Sequence, residues 1–288
     1  MEIAFEIIPG PQATLGESPV WDSASDVLWW VDIDGRNLHR TVPATGETTT
    51  WPTPETPGFV VLTSTGQPAV GMETGVFLFD AARESFDRIV RLDQKGVRFN
   101  DACVDWMGRL WAGTMAMDGP SPTGVVFRMG PDRLPHPVYT GLYTPNGLAA
   151  DPARQRLYLS DSHADVQTIW AVAIGDPSLP TPDSRRTFAS TQALAGRPDG
   201  AALDTDGRYW IAAVGGGQAI HVFSPDGALE TSIPVPVSDP TKPAFGGAQL
   251  DRLFLTSKGG VHPNGALATA SLSGTRGMPS VPWNIGRS

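Results

Sequence analysis

The 288-residue sequence predicts an all-β fold: a six-bladed β-propeller of four-stranded antiparallel blades, one domain over residues 1–288. Three observations predict it. A six-residue frame recurs six times, each copy is followed by a turn and a short apolar run, and the copies are spaced like propeller blades. In chain order, ESPVWD (17–22) precedes LWWVD (28–32), and GFVVLT (58–63), with Thr63 in place of the final Asp, precedes AVGME (69–73). NDACVD (100–105) leads to LWAGT (110–114), NGLAAD (146–151) to LYLSD (157–161), DGAALD (199–204) to YWIAA (209–213), and GGAQLD (246–251) to LFLTS (253–257). The frames start 41, 42, 46, 53 and 47 residues apart. Turn signals such as Thr205-Asp206-Gly207 and Pro225-Asp226-Gly227 separate apolar runs of about five residues, which is the pattern of hairpins. The early run EIAFEII (2–8) has no partner in the first repeat and is expected to close the ring as a strand of the last blade.

Composition agrees with many turns and few helices, since 32 glycines and 27 prolines make up about a fifth of the chain without a collagen period. The apolar fraction of 40%, with nine tryptophans, supports a packed core. A net charge of −9 argues against a nucleic-acid partner. No apolar run is long enough for a membrane-spanning helix, and Glu2 and Glu6 stand where a secretory leader carries basic residues. The single cysteine, Cys103, can form no intramolecular disulfide, so a cytoplasmic protein is expected.

The first strand of a blade lines the central channel, so the six frame starts should face one axis. They are Glu17, Gly58, Asn100, Asn146, Asp199 and Gly246: four oxygen-bearing side chains, two glycines and no apolar side chain or cation. Two carboxylates and two amides gathered in a channel are costly to leave uncompensated, and a hard divalent cation resolves the cost. The glycines are expected to leave room for a substrate. Pro145-Asn146-Gly147 and Pro198-Asp199-Gly200 also read as ordinary turns, but Glu17 and Asn100 keep the frame without a following glycine. Arg98 is placed at the channel mouth, where it can bind an anionic or hydroxyl-rich ligand. Trp29, Trp111, Tyr158 and Trp210 recur on second strands and read as core between blades; His163 reads as a loop histidine and Cys103 as a small buried residue.

LGESPVW (15–21), RFNDACVD (98–105), GRLWAGTM (108–115), TPNGLA (144–149), RPDGAALD (197–204) and TKPAFGG (241–247) together resemble the senescence-marker-protein/gluconolactonase family, which includes regucalcin and bacterial sugar lactonases. The resemblance runs along nearly the whole chain and implies the same propeller. It implies that Glu17, Asn146 and Asp199 hold one divalent metal ion, that Arg98 and Asn100 bind substrate, and that Asp199 serves as base. Ca²⁺ leads as the metal, with Mg²⁺, Mn²⁺, Zn²⁺ and Fe²⁺ as alternatives. One position departs: regucalcin-like members carry an acidic substrate contact after AGTMA, where Met117 stands here, and Asp118 is the acidic residue next to it. The implied activity is hydrolysis of a sugar lactone. A metal-dependent phosphotriesterase or esterase and a non-catalytic calcium- or sugar-binding propeller are the alternatives.

Overall fold

The computed structural model describes residues 3–175, 180 and 184–286. Six four-stranded antiparallel sheets follow one another around a central axis, with no α-helix among the described residues. The innermost strands are Gly16–Asp22, Phe59–Leu62, Val97–Val104, Pro145–Asp151, Arg197–Leu203 and Pro240–Gly246, in blades 1 to 6. Phe5–Ile8 pairs with Leu267–Ser271 as the outer strand of blade 6, so the two ends of the chain close the ring within one sheet. This is the closure expected of the 2–8 run, of which residue 2 lies outside the described residues.

Each junction between blades has its own apolar cluster, which explains why tryptophan and tyrosine recur on second strands. Trp29 packs between blades 1 and 2, Trp111 between 3 and 4, Tyr158 between 4 and 5, and Trp210 between 5 and 6. The repeated aspartate at the end of the frame is a scaffold residue. Asp105 accepts bonds from Met107 N, Arg109 N, Arg109 Nε and Trp111 Nε1, and Asp204 repeats the pattern with Asp206, Arg208 and Trp210. Both are fully buried, so each carboxylate anchors a hairpin turn to the indole of the next strand.

In five of the six innermost strands the register slips by one residue, between Glu17 and Val20, Phe99 and Ala102, Asn146 and Ala149, Pro198 and Ala201, and Pro240 and Pro243. Such bulges re-aim side chains, and here they lie at the polar ring. They also correct two expectations. In blade 6 the innermost strand is Pro240–Gly246, so Thr241 and Lys242 occupy the bulge while Gly246 pairs with Arg252 at the far end. Nor do the two glycines make room for a substrate. A Cβ on Gly58 would stand 1.9 Å from the Phe99 carbonyl oxygen, and one on Gly246 would meet the rings of Phe254 and Trp21 at 2.7 Å.

After blade 6 the chain runs across the far end of the channel. Met278 N bonds Leu203 O, Trp283 N bonds Leu62 O, and Asn284 N bonds Gly108 O, so this strap touches blades 5, 2 and 3 in turn. Trp283 is fully buried against the cluster between blades 2 and 3.

Candidate metal centre and channel mouth

Two loops deliver ring residues with little freedom. Asp32 accepts the backbone N–H groups of Thr14 and Leu15, three and two residues before Glu17, and Asp161 does the same for Tyr143 and Thr144 ahead of Asn146. Thr241 adds a bond to Gly16 O, and Ser18, at a φ of +52°, donates its N–H to Glu17 Oε2 at 2.6 Å. Glu17, Asn100, Asn146 and Asp199 are all buried, at 6%, 8%, 4% and 8% exposure.

The four polar positions divide into two kinds. Asn146 donates its amide to Asp199 Oδ1 at 2.6 Å, joining blades 4 and 5, and the charge of Glu17 acts on Asp199. Asn100 instead accepts from Arg98 Nη1 at 2.7 Å through its oxygen and donates to Pro145 O at 3.1 Å. Its oxygen is thus committed to the arginine. Arg98 is half-buried, and Nη1 also reaches Phe99 O at 2.9 Å, which leaves its Nε and Nη2 without a hydrogen bond among the described residues.

Electrostatics mark the same place. Burial, then the charge of Asp101, raises the Glu17 carboxyl from 4.5 to about 7. Burial, then Glu17 and Asp101, pushes Asp199 well above the ordinary carboxylate value. Burial pulls Arg98 below its ordinary value against the opposing charges of Asp34, Glu17, Asp199 and Glu73. Two buried carboxylates that resist ionisation call for positive charge beside them, and their hard oxygen donors fit a divalent cation. No group of three or more His, Cys, Asp and Glu that could hold a metal occurs among the described residues.

Sequence reasoning missed a buried ion pair in the channel. Lys242, 7% exposed, donates to Asp101 Oδ1 and to Ala102 O at 3.1 Å, while Asp101 Oδ2 accepts Leu148 N at 2.7 Å. The signal was the pair of blocks RFND and TKPAFGG, whose meeting needs the closed ring. Beyond the ring the channel opens into a cavity of about 150 Å³, walled by the downstream halves of the innermost strands, by Cys103, and by Met278–Val281 of the strap. Cys103 is partly buried there, and burial raises its thiol well above the usual value.

The remaining residues lie at the mouth. Asp118 is exposed in the loop after Leu110–Ala116, on the same face as Arg98, because Ala116 pairs with Val97 and Met115 with Arg98. It lines a 450 Å³ surface recess with Gln94, Lys95 and Thr123, and Met117 beside it is 45% exposed. His163 stacks on Tyr143, ring centroids 4.2 Å apart, with Nδ1 accepting Asp165 N at 3.3 Å.

Fold and ring together define a class: six-bladed propellers with a ring of buried polar side chains in the central channel. Within that class the chain belongs to the SMP-30/gluconolactonase/LRE-like family, which residues 15–259 match. It is 35% identical over 248 residues to the 6-deoxy-6-sulfogluconolactonase of Pseudomonas putida, covering 85% of this chain and 84% of that protein. It is 33% identical over 248 residues to a pentonolactonase of Haloferax volcanii, covering 85% and 82%. Among solved structures it superposes on the calcium-binding protein regucalcin of Agrobacterium tumefaciens with a TM-score of 0.90, covering 98% of each chain at 24% identity.

Proposed function

We propose that the protein hydrolyses a sugar lactone to the corresponding sugar acid, with one divalent metal ion held by Glu17, Asn146 and Asp199. The observation that carries this reading is the buried pair Glu17 and Asp199, both with raised pKa values, with Asp199 bonded to Asn146, and an arginine with free donors held by Asn100. Relatives that cover most of the chain and are named for lactone hydrolysis support it.

A bound divalent cation, Ca²⁺ on the all-oxygen donor set, would supply Lewis-acid polarisation of the lactone carbonyl. In the reaction, water adds to the carbonyl carbon, the ring C–O bond breaks, and the ring oxygen leaves with a proton as a hydroxyl. Asp199 takes the proton from the attacking water and returns it to the leaving ring oxygen. Asn146 donates to Asp199 Oδ1 and so orients the carboxylate. Arg98, held by Asn100 and Phe99 O through Nη1, presents Nε and Nη2 to lactone hydroxyls. Asn100 is fixed by Arg98 and Pro145 O and contributes its remaining amide hydrogen. Asp118, in the surface recess with Gln94, Lys95 and Thr123, is the acidic side chain next to Met117 that would meet the outer substituents of the sugar. Cys103, the single cysteine, suits a reducing cytoplasm.

The test is a pH-stat assay across five- and six-membered aldonolactones, with chelator and with added divalent ions, after subtraction of spontaneous opening. An organophosphate triester serves as the comparison substrate. Acid release above the spontaneous rate that chelator abolishes is the expected result. Its absence across the whole panel would overturn the reading.

A further inference from the structure

Lys242 lies in the bulge of the blade 6 innermost strand and crosses the channel to Asp101, 141 residues away in sequence. The chain makes way for it. A Cβ on Gly200 would stand 2.4 Å from Lys242 Cβ and Cγ, so the glycine after Asp199 clears the lysine stem. Gly200 does not have a positive φ, so a turn does not explain it. Three carboxylates face this region, Glu17, Asp101 and Asp199, and Lys242 acts electrostatically on each. Of the other cations, Arg98 interacts with Asp34 and Glu73 as well as with Glu17 and Asp199, and Arg197, exposed two residues before Asp199, also lowers that carboxyl. Lys242, among the described residues, is the cation that forms a buried ion pair with Asp101 inside the channel.

We propose that Lys242 is a specificity-determining residue of the ring: its ammonium neutralises Asp101, leaves Glu17 and Asp199 as the two carboxylates free for a cation, and so matches the centre to an ion of charge two. This rests on the metal-centre reading above. Both partners are buried and hydrogen-bonded, so the pair is a fixed part of the site's charge. A fixed charge acts on a trivalent ion half as strongly again as on a divalent ion at the same place, so removing the lysine charge favours both ions and the trivalent one more. Removing the Asp101 charge does the opposite.

The experiment titrates Ca²⁺ and Tb³⁺ by calorimetry into the metal-free full-length protein and reads the ratio of their dissociation constants. Lys242→Met should shift the ratio toward Tb³⁺ by about tenfold or more, and Asp101→Asn should shift it away by a similar factor. The double variant should restore the wild-type ratio to within about threefold, and Lys242→Arg should retain it. Circular dichroism and thermal melting establish which variants fold, and either single variant is decisive alone, because the two shifts are opposite in sign. A merely structural pair would weaken both ions together and leave the ratio in place, and that result overturns the proposal. Wild-type protein that binds neither ion would overturn the metal centre itself, whereas tight binding with unmoved ratios overturns only the role of Lys242.

Discussion

Replacing Glu17 by glutamine should change how stability depends on pH in the metal-free protein. Burial and Asp101 hold the Glu17 carboxyl at about 7 against 4.5 for an ordinary glutamate. The folded state therefore keeps a proton that the unfolded chain releases between those values, and stability falls as pH rises through the window. His39 works in the opposite direction. It is 2% exposed, stacked on Trp30 with ring centroids 4.1 Å apart and bonded to Thr50 Oγ1 at 2.8 Å, and burial lowers it from 6.5 to about 4. There the unfolded chain binds a proton that the folded state refuses, so stability is lost as pH falls from 6.5 toward 4.

Linkage applied to both groups gives about 2 kcal/mol lost at Glu17 and about 2 kcal/mol gained at His39 on going from pH 5 to pH 7. Asp199, raised for the same reasons as Glu17, adds to the loss. Metal-free wild-type protein should thus be flat or slightly less stable at pH 7. Glu17→Gln removes one loss, so its change in stability over the same interval should be about 2 kcal/mol more favourable than that of the wild type. His39→Gln should fall by about 2 kcal/mol or more. Urea unfolding in chelator at the two pH values reads all three, and a Glu17→Gln protein with the wild-type pH slope would refute the reasoning. Saturating metal should flatten the Glu17 contribution, because an ion that binds the carboxylate displaces its proton.

Asp199→Asn keeps an oxygen for the metal but loses the base, so turnover at saturating metal should fall by about 10²–10⁴-fold in the pH-stat assay, and near-normal turnover would remove the assignment. Asn100→Ala should lower lactone turnover and raise KM while calorimetry finds metal affinity nearly unchanged, since its oxygen is bonded to Arg98. A variant that loses metal instead would place Asn100 among the ligands. Gly200→Ala should cost about 1–3 kcal/mol in urea unfolding, because the new methyl overlaps the Lys242 stem, and a cost near zero would show that the lysine swings aside.

What was legible in the sequence follows from how local each feature is. The propeller was readable because the second strands repeat LWWVD, LWAGT, LYLSD and YWIAA at blade spacing, each with an aromatic that packs against the next blade. Glu17, Asn100, Asn146 and Asp199 were readable because they share one frame, and the bulges bring them to the ring even though Glu17 and Asn146 precede the slip while Asn100 and Asp199 lie within it. Blade 6 was misread because GGAQLD imitates that frame, although Gly247–Asp251 is a turn beyond the strand. The strap escaped because MPSVPWNIG has no counterpart in any other blade and finds its partners only across the closed ring.

Lys242 is the instructive case. A lysine in a short strand reads as solvent-facing, and Gly200 reads as the last residue of a Pro-Asp-Gly turn. Neither reading survives once blades 5 and 6 lie side by side, because the missing side chain at 200 is the space the lysine stem fills on its way to Asp101 of blade 3. Three blades thus share one arrangement, and each residue is explained only by the other two. A repeat can be found by comparing the chain with itself, whereas a charge pair that spans the channel depends on curvature that no single repeat contains. Residues that tune the charge of a propeller channel are therefore best sought at ring positions where one blade breaks the pattern of the others, as Thr241-Lys242 does opposite Asn100-Asp101.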